Sequence, residues 1–444
     1  MSASDTIYAL SSGSGLAGVA VVRVSGARAG PIVKELCFAL PVPRVATLSA
    51  IRSPGNRELI DRGLVLWFPG PASFTGEDVA EFHVHGGAAV VQALFDALAR
   101  FDGLRMAEAG EFTRRAFGNG KFDLIEVEGL VDLIEARTEA QRRQALHHSE
   151  GGASRLIAKW RRDIMRILAR LEAAIDFADE AHVEEEALRA HEEELEALVL
   201  SFESEIERGR AGERLREGFR VVLAGAPNVG KSSLLNRLGG KDAAIVSPIP
   251  GTTRDLVEVH LNLAGIPVIL QDTAGLRAAS DDPIEQAGMA RAGKALGGAD
   301  LILWLSSPNV ASPAHEPPFE SDVIWIWNKC DLALPEEAGP DGRPYVAISS
   351  MTGEGLSDLV VAITARLQQL TAMGETVLIT RRRHREALVS MRLHLLSALR
   401  KPAPALEIIT EELRLAAADI GRLTGHIDVE SLLDLIFRDF CIGK

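Results

Sequence analysis

The chain has 444 residues, 47% hydrophobic and 25% charged, proportions of folded globular domains that exclude disordered and fibrous classes. At roughly 100–200 residues per domain it holds two to four of them. Forty-eight basic residues against sixty-two acidic ones leave a net charge of −14, which excludes a wholesale electrostatic grip on nucleic acid but leaves room for a local basic patch.

Three cysteines, Cys37, Cys330 and Cys441, are odd in number and far apart. They exclude a disulfide framework or a paired-cysteine metal knuckle and point to a reducing compartment. The opening MSASDTIYAL lacks a basic segment followed by an apolar one. No apolar run approaches the ~18–20 residues that span a bilayer, so a cytoplasmic location without membrane insertion is expected.

Residues 1–118 mix apolar strands with Gly/Pro turns: 18–26, 63–70 and 79–87 are expected as strands and 88–101 as a helix, a small α+β domain. Residues 119–217 carry the pattern of long amphipathic helices, with 124–148 expected as one of them and Leu156/Trp160 and Ile164/Leu168 marking an apolar stripe. Residues 218–371 alternate strands and helices, which implies a three-layer α/β unit with a largely parallel sheet. Residues 372–444 are helical again and end in CIGK. The simplest arrangement is one discontinuous helical domain with the α/β unit inserted into it.

Gly225 to Ser232, GAPNVGKS, fits GxxxxGK[ST] and lies between an apolar strand and a helix. In that setting glycines let backbone N–H groups curl round a β-phosphate, and the helix N-terminus adds positive potential. Lys231 neutralises β/γ charge and the Ser232 hydroxyl takes Mg²⁺. Further elements follow in order. Gly251-Thr252-Thr253 offers a second Mg²⁺ hydroxyl on Thr253. Asp272-Thr273-Ala274-Gly275 ends a strand, with Asp272 suited to hold Mg²⁺ through water and the Gly275 N–H to meet a γ-phosphate. In Asn328-Lys329-Cys330-Asp331 the Asp331 carboxylate can accept from two guanine N–H groups, which adenine does not offer. Ser349-Ser350-Met351 stands where a loop behind the base belongs. Five elements in this order resemble the translation-factor-type GTPases, and the nucleotide is expected to be GTP.

One position departs from the Ras-like pattern. Leu276 follows DTAG where a glutamine would orient the attacking water. Hydrolysis then needs another polar group, and Glu285 and Glu258 are the local carboxylates. Arg254 and Arg277 are weighed as structural or surface residues rather than as arginine fingers. A finger-like charge is worth about 10³–10⁵ in rate, so a substitute is expected. The amide oxygen of Asn228 suits a monovalent cation beside the phosphates, although a loop asparagine also forms turns.

PNVGKSSLLN, AAIVSPIPGTTRD, DTAGLR, RRRH (381–384), CIGK (441–444), SFTGEDVAEFHVHGG and GEFTRRAFGNGKFDL together resemble the tRNA modification GTPases of the MnmE or TrmE family, from about Asp5 to Lys444. The resemblance implies an N-terminal α+β folate-binding and dimerisation domain, a discontinuous helical domain and an inserted Ras-like P-loop GTPase domain. It implies a homodimer whose GTPase domains meet across the nucleotide when potassium is bound. A flavoprotein partner, MnmG or GidA, carries FAD, uses NADH and joins it in a heterooligomer. The pair adds a carboxymethylaminomethyl or aminomethyl group to C5 of the wobble uridine in the tRNA anticodon loop. The carbon comes from tetrahydrofolate, as the 5-formyl or 5,10-methylene form.

By position, the resemblance assigns GTP contacts to Asn228, Val229, Gly230, Lys231, Ser232 and Ser233, then to Ser247, Pro248, Ile249, Pro250, Gly251, Thr252 and Thr253. Asp272, Thr273, Ala274, Gly275, Asn328, Lys329, Asp331, Ser349, Ser350 and Met351 complete the set. Mg²⁺ falls to Ser232 and Thr253, and K⁺ to Asn228, Ser247, Ile249 and Thr252. Glu285 matches the carboxylate that orients the hydrolytic water through an intermediate water, although an extra residue near Asp282-Pro283 loosens the register. Arg23, Glu81, Lys121 and Lys444 match the folate contacts, and Cys441 the family's C-terminal cysteine, a candidate nucleophile.

The residues agree with this chemistry. An anionic folate tail suits Arg23 and Lys121, and a carboxylate such as Glu81 pairs with the amide and amine edge of a pterin. Period two puts Glu81, His83 and His85 on one strand face, opposite Phe82 and Val84, which on the residues alone also fits a half-exposed strand with a polar outer face. A His83/His85 metal pair lacks a third ligand. The alternative class is a GTP-dependent switch of ribosome assembly without modification chemistry, which shares the central module but not the flanks. Arg381, Arg382, Arg383 and Arg385 form a basic cluster that suits either tRNA contact or plain surface.

Overall fold

The computed structural model describes residues 5–13, 15–176, 181–240, 258–272, 296–308, 310, 322–335, 338–339, 342–371, 377–400, 405–425, 427 and 443, with 181–190 and 371 described by backbone alone. The chain divides into two compact units, Met1–Val131 with Gly421–Lys444, and Asp132–Ile420.

The first unit contains β1 (Thr6–Leu10), β2 (Ala17–Ser25), α1 (Ala29–Cys37), β3 (Thr47–Arg52), β4 (Leu59–Phe68), β5 (Val79–Gly86), α2 (Ala88–Leu98), β6 (Leu104–Met106) and α3 (Glu111–Gly118). It also holds residues 124–131 of α4 (Leu124–Glu135). The strands form one sheet in the order β3-β4-β5-β2-β1-β6, antiparallel throughout except where β6 runs parallel to β1.

The expected strands and the helix after them are present. β1, β3 and β6 went unread because they are short and carry no clean alternation. The alternation of β5 decides the faces: Phe82 and Val84 are buried in the core, while Glu81 and His83, half-buried, and His85, exposed, lie on the opposite face. Phe82 joins Val22, Val24, Val65, Trp67, Ile32, Leu36, Leu94 and Leu98 in the core of this unit. A fully buried side chain of this size contributes about 1.5–3 kcal/mol over leaving it in water.

The second unit begins with helices. The expected helix over 124–148 is two, α4 and α5 (Glu139–Ser149). Thr138 breaks it: its hydroxyl accepts from the Gln141 N–H, and Gln141 Oε1 accepts from the Arg137 N–H, so the TEAQ sequence nucleates a new helix start. α6 (Gly152–Asp176) and α7 (Ala181–Glu217) follow, and Trp160 of α6 stacks edge-on against Phe202 of α7 at 4.8 Å.

After α7 come β7 (Phe219–Gly225), α8 (Lys231–Gly239), β8 (Glu258–Leu263), β9 (Ile266–Asp272), β10 (Leu301–Ser306), β11 (Val323–Asn328), β12 (Val346–Ile348) and α9 (Leu356–Thr371). The sheet order is β12-β11-β10-β7-β9-β8, parallel except for β8, which pairs antiparallel at the edge. Central β7 has both faces covered, with Val221, Val222, Leu223 and Ala224 buried, as expected of an interior parallel strand. The helix expected near 284–297 falls largely outside the described residues. The unit closes with α10 (Arg382–Ala398) and α11 (Leu406–Thr424) as far as Ile420.

Candidate functional site

The loop after β7 is shaped by glycines in positive φ. Gly225 has φ +136°, and a Cβ there would stand 2.3 Å from the Leu305 carbonyl oxygen of β10. Gly230, with φ +101°, caps the start of α8, where a Cβ would meet Asn328 Nδ2 at 2.2 Å. Between them Asn228 adopts φ 62°, a left-handed conformation that asparagine tolerates better than most residues. The turn sets the N-terminus of α8 just after the end of β7, where the N–H groups of a first helical turn make a ready site for anions.

Lys231 is buried, its ammonium donating to the carbonyls of Gly225 at 3.0 Å and Ala226 at 2.9 Å. Ser232 Oγ donates to Asp272 Oδ2 at 2.7 Å, joining the helix start to the end of β9. A hydroxyl and a carboxylate at one point are the hard oxygen donors that Mg²⁺ takes. Ser233 is exposed on the first turn of α8, and Val229 is buried in the core behind the loop.

The second loop is stitched onto the first. Asn328, wholly buried, donates from Nδ2 to the Val229 carbonyl at 2.7 Å and to Ser350 Oγ at 3.2 Å, and its Oδ1 accepts from the Ser350 N–H at 3.0 Å. Lys329 Nζ donates to the Asn228 carbonyl at 2.9 Å. Asp331 is exposed, leaving its carboxylate open to a base. Ser349 is buried and accepts from the Thr352 N–H at 3.1 Å, while Met351 stands 87% exposed at the tip of the loop.

The structure thus brings together Asn228, Val229, Gly230, Lys231, Ser232, Asp272, Asn328, Lys329, Ser349 and Ser350. Glu258 is engaged across the strand pair by Gln271 Nε2 at 2.8 Å. Ser247, Pro248, Ile249, Pro250, Gly251, Thr252, Thr253, Thr273, Ala274, Gly275, Leu276 and Glu285 lie outside the described residues, as do Arg254 and Arg277.

A second constellation occupies the outer face of the N-terminal sheet. Arg23 of β2 stands opposite Glu81 of β5, with Nε and Nη2 at 3.1 and 2.9 Å from Glu81 Oε1. The guanidinium lies 5.1 Å from the Phe74 ring centre and 5.6 Å from that of Phe112. Lys121 donates to the Pro71 carbonyl at 3.0 Å, on the loop that also presents Phe74. Gly443 accepts from Ser11 Oγ at 2.8 Å at the end of β1, while Lys444 and Cys441 lie outside the described residues.

Sequence reasoning missed what fixes the Phe74 loop. Glu77 accepts from Ser25 Oγ at 2.7 Å and from Arg115 at 3.2 Å, and Asn119 Nδ2 donates to the Thr75 carbonyl at 2.7 Å. Glu111, buried, takes Arg105 at 2.6 Å and Arg115 at 3.0 Å. Burial would raise its pKa, but the Arg105 hydrogen bonds, the Glu108 N–H and Arg115 together hold it below the ordinary value.

The arginine cluster is largely engaged within the protein. Arg381 pairs with Asp132 at 2.7 Å, Arg385 with Glu213 at 2.9 Å and Arg382 with Glu386 at 2.6 Å.

A glycine-shaped loop from a parallel strand to a helix, a hydroxyl–carboxylate pair beside it and an Asn-Lys-x-Asp loop bonded to its backbone define a P-loop guanine-nucleotide-binding protein. Family models describe residues 6–121 as GTP-binding protein TrmE N-terminus and 124–441 as MnmE helical domain. The chain is 48% identical over 442 residues to the tRNA modification GTPase MnmE of Azorhizobium caulinodans, covering 99% of each. It is 48% identical over 444 residues to that of a Methylobacterium species, covering 99% of this chain and 100% of the relative. A crystal structure of Era with MgGDPNP and nucleotides 1506–1542 of 16S ribosomal RNA matches 33% of this chain and 56% of its own at 29% identity, with a TM-score of 0.27. The chain belongs to the tRNA modification GTPase MnmE family. Among the described residues no helix is long and apolar enough to cross a membrane.

Proposed function

We propose that this chain is a potassium-activated, Mg²⁺-dependent GTPase of the cytoplasm that acts as a homodimer, its GTPase domains pairing across the nucleotide. Together with an FAD- and NADH-dependent flavoprotein, MnmG, it adds a carboxymethylaminomethyl or aminomethyl group to C5 of the tRNA wobble uridine, using a tetrahydrofolate one-carbon unit. In this reading Ser232 and Thr253 hold Mg²⁺, and Asn228 with Ser247, Ile249 and Thr252 holds K⁺. Glu285 orients the hydrolytic water, Asp331 reads guanine, and Arg23, Glu81, Lys121 and Lys444 hold the folate. Cys441 is the candidate nucleophile. The domain limits follow the same reading: 1–118 for the folate domain, 119–217 and 372–444 for the helical domain, 218–371 for the GTPase domain.

The observation that carries the modification chemistry is the Arg23–Glu81 pair between Phe74 and Phe112, in the same chain as a guanine-nucleotide loop. A guanidinium suits an anionic tail, a carboxylate suits the N–H edge of a pterin, and aromatic rings suit its flat face. Mass spectrometry of tRNA nucleosides from cells with and without the chain tests the proposal: loss of the C5-modified wobble uridine supports it, and an unchanged nucleoside profile rejects it.

A further inference from the structure

Two nitrogens of Arg23 converge on one oxygen of Glu81. A guanidinium fork facing a carboxylate ordinarily makes two parallel bonds, one to each oxygen. Here the second oxygen is engaged elsewhere: Oε2 lies 3.3 Å from Nε2 of His83, two residues along β5 and on the same face. Strand pairing fixes Arg23 opposite Glu81, and Phe74 and Phe112 flank the guanidinium, so the rotation of the carboxylate decides how the pair closes. The next outward residue, His85, has its ring on Asp61 at 2.9 Å. Glu81 and His83 are only 17% and 29% exposed in their side chains, so their contact is partly shielded from water.

We propose that His83 is a positioning residue for the Glu81 carboxylate. Its imidazole holds Oε2 off the guanidinium and keeps that oxygen presented to a flat heterocycle carrying adjacent N–H donors. Without the imidazole the carboxylate turns and closes on Arg23 through both oxygens, a geometry that favours the internal ion pair over the ligand. The ligand's identity here rests on the folate reading; the geometry of the clamp does not.

The test compares the full-length wild type, His83→Leu and His83→Gln by calorimetry with 5-formyltetrahydrofolate, by thermal unfolding and by crystal structures of the ligand-free proteins. Affinity is expected to fall about tenfold in His83→Leu and to return to within about twofold of wild type in His83→Gln, whose amide N–H reaches the same oxygen. Melting temperatures of the three should coincide. Unchanged affinity in His83→Leu, or an equal loss in His83→Gln, overturns the proposal. A wild type that binds no folate removes the folate reading alone, and the crystal structures then decide the clamp. Two parallel Arg23–Glu81 bonds in ligand-free His83→Leu support it, and a persisting single-oxygen contact overturns it.

Discussion

Gly230 and Asn328 are packed so closely that a methyl group on the first would stand 2.2 Å from the side-chain nitrogen of the second. Asn328, together with Lys329, ties the loop after β11 to the loop after β7, through its bond to the Val229 carbonyl. The glycine therefore does two things at once: it supplies a φ of +101° and makes room for a neighbour 98 residues away in sequence (328 − 230).

Gly230→Ala should accordingly fail twice. The left-handed conformation costs a residue bearing a Cβ roughly 1–2 kcal/mol, and the displaced Asn328 gives up buried hydrogen bonds. GTP affinity should drop by at least about tenfold with a lowered melting temperature. Titration of a fluorescent guanine nucleotide measures the first effect and thermal unfolding the second. Wild-type affinity in this variant would contradict the packing described.

Ser232 and Asp272 lie 2.7 Å apart, an oxygen pair from two different elements. Asp272→Asn keeps the size of the side chain but removes its charge. Outer partners of a metal site are typically worth about 10–100-fold in metal affinity, so the Mg²⁺ concentration for half-maximal GTP turnover should rise by about that factor. Ser232→Ala should shift it in the same direction, and chelation of Mg²⁺ should stop turnover in the wild type. A Mg²⁺ titration of GTP hydrolysis reads all three.

The buried Glu111 links acid stability to the loop that carries Phe74, because Arg115 also reaches Glu77. Its carboxyl titrates below the ordinary 4.5 in the folded protein. A carboxylate depressed on folding contributes stability that is fully present above its unfolded value and is lost as pH falls through the folded value. Wild-type melting temperature should therefore decline as pH is lowered from about 5 to 3, and Glu111→Gln should show a shallower decline from a lower starting point. At pH 7 the substitution should cost about 1–3 kcal/mol, since Arg105 and Arg115 lose a charged acceptor. Parallel slopes for the two proteins would remove Glu111 from the account.

Local signals made the candidate nucleotide site legible. Glycines, Lys231, Ser232, Asp272 and Asn328 sit at strand ends within short motifs, so their meeting could be expected from local sequence alone. The outward row of Glu81 and His83 was equally plain from period two. What escaped depended on distance along the chain. Arg381 to Arg385 look like a basic patch in sequence, yet Arg381 and Arg385 are neutralised by Asp132 and Glu213, some 250 and 170 residues earlier. Phe74 gave no sign that it would flank Arg23, because loop residues follow no period. The break between α4 and α5 was available in the TEAQ capping pattern, but the continuous amphipathic pattern concealed it.

Asn228 offers the sharpest test of cation activation, provided its backbone is treated separately from its amide. Its φ of 62° is tolerated by asparagine and natural to glycine, whereas alanine there is strained by about 1 kcal/mol or more. The strain would reach Lys329 as well, whose ammonium sits on the Asn228 carbonyl. Asn228→Ala alone would therefore confuse a lost ligand with a distorted loop, and Asn228→Gly removes the amide while keeping the turn. GTP turnover of the wild type should rise strongly when sodium is replaced by potassium. In both variants the ratio between the two salts should fall toward one, with nucleotide affinity weakened more in the alanine variant than in the glycine variant. A glycine variant that keeps the full potassium response would show that the cation is held by other groups, and that Asn228 serves only to shape the turn.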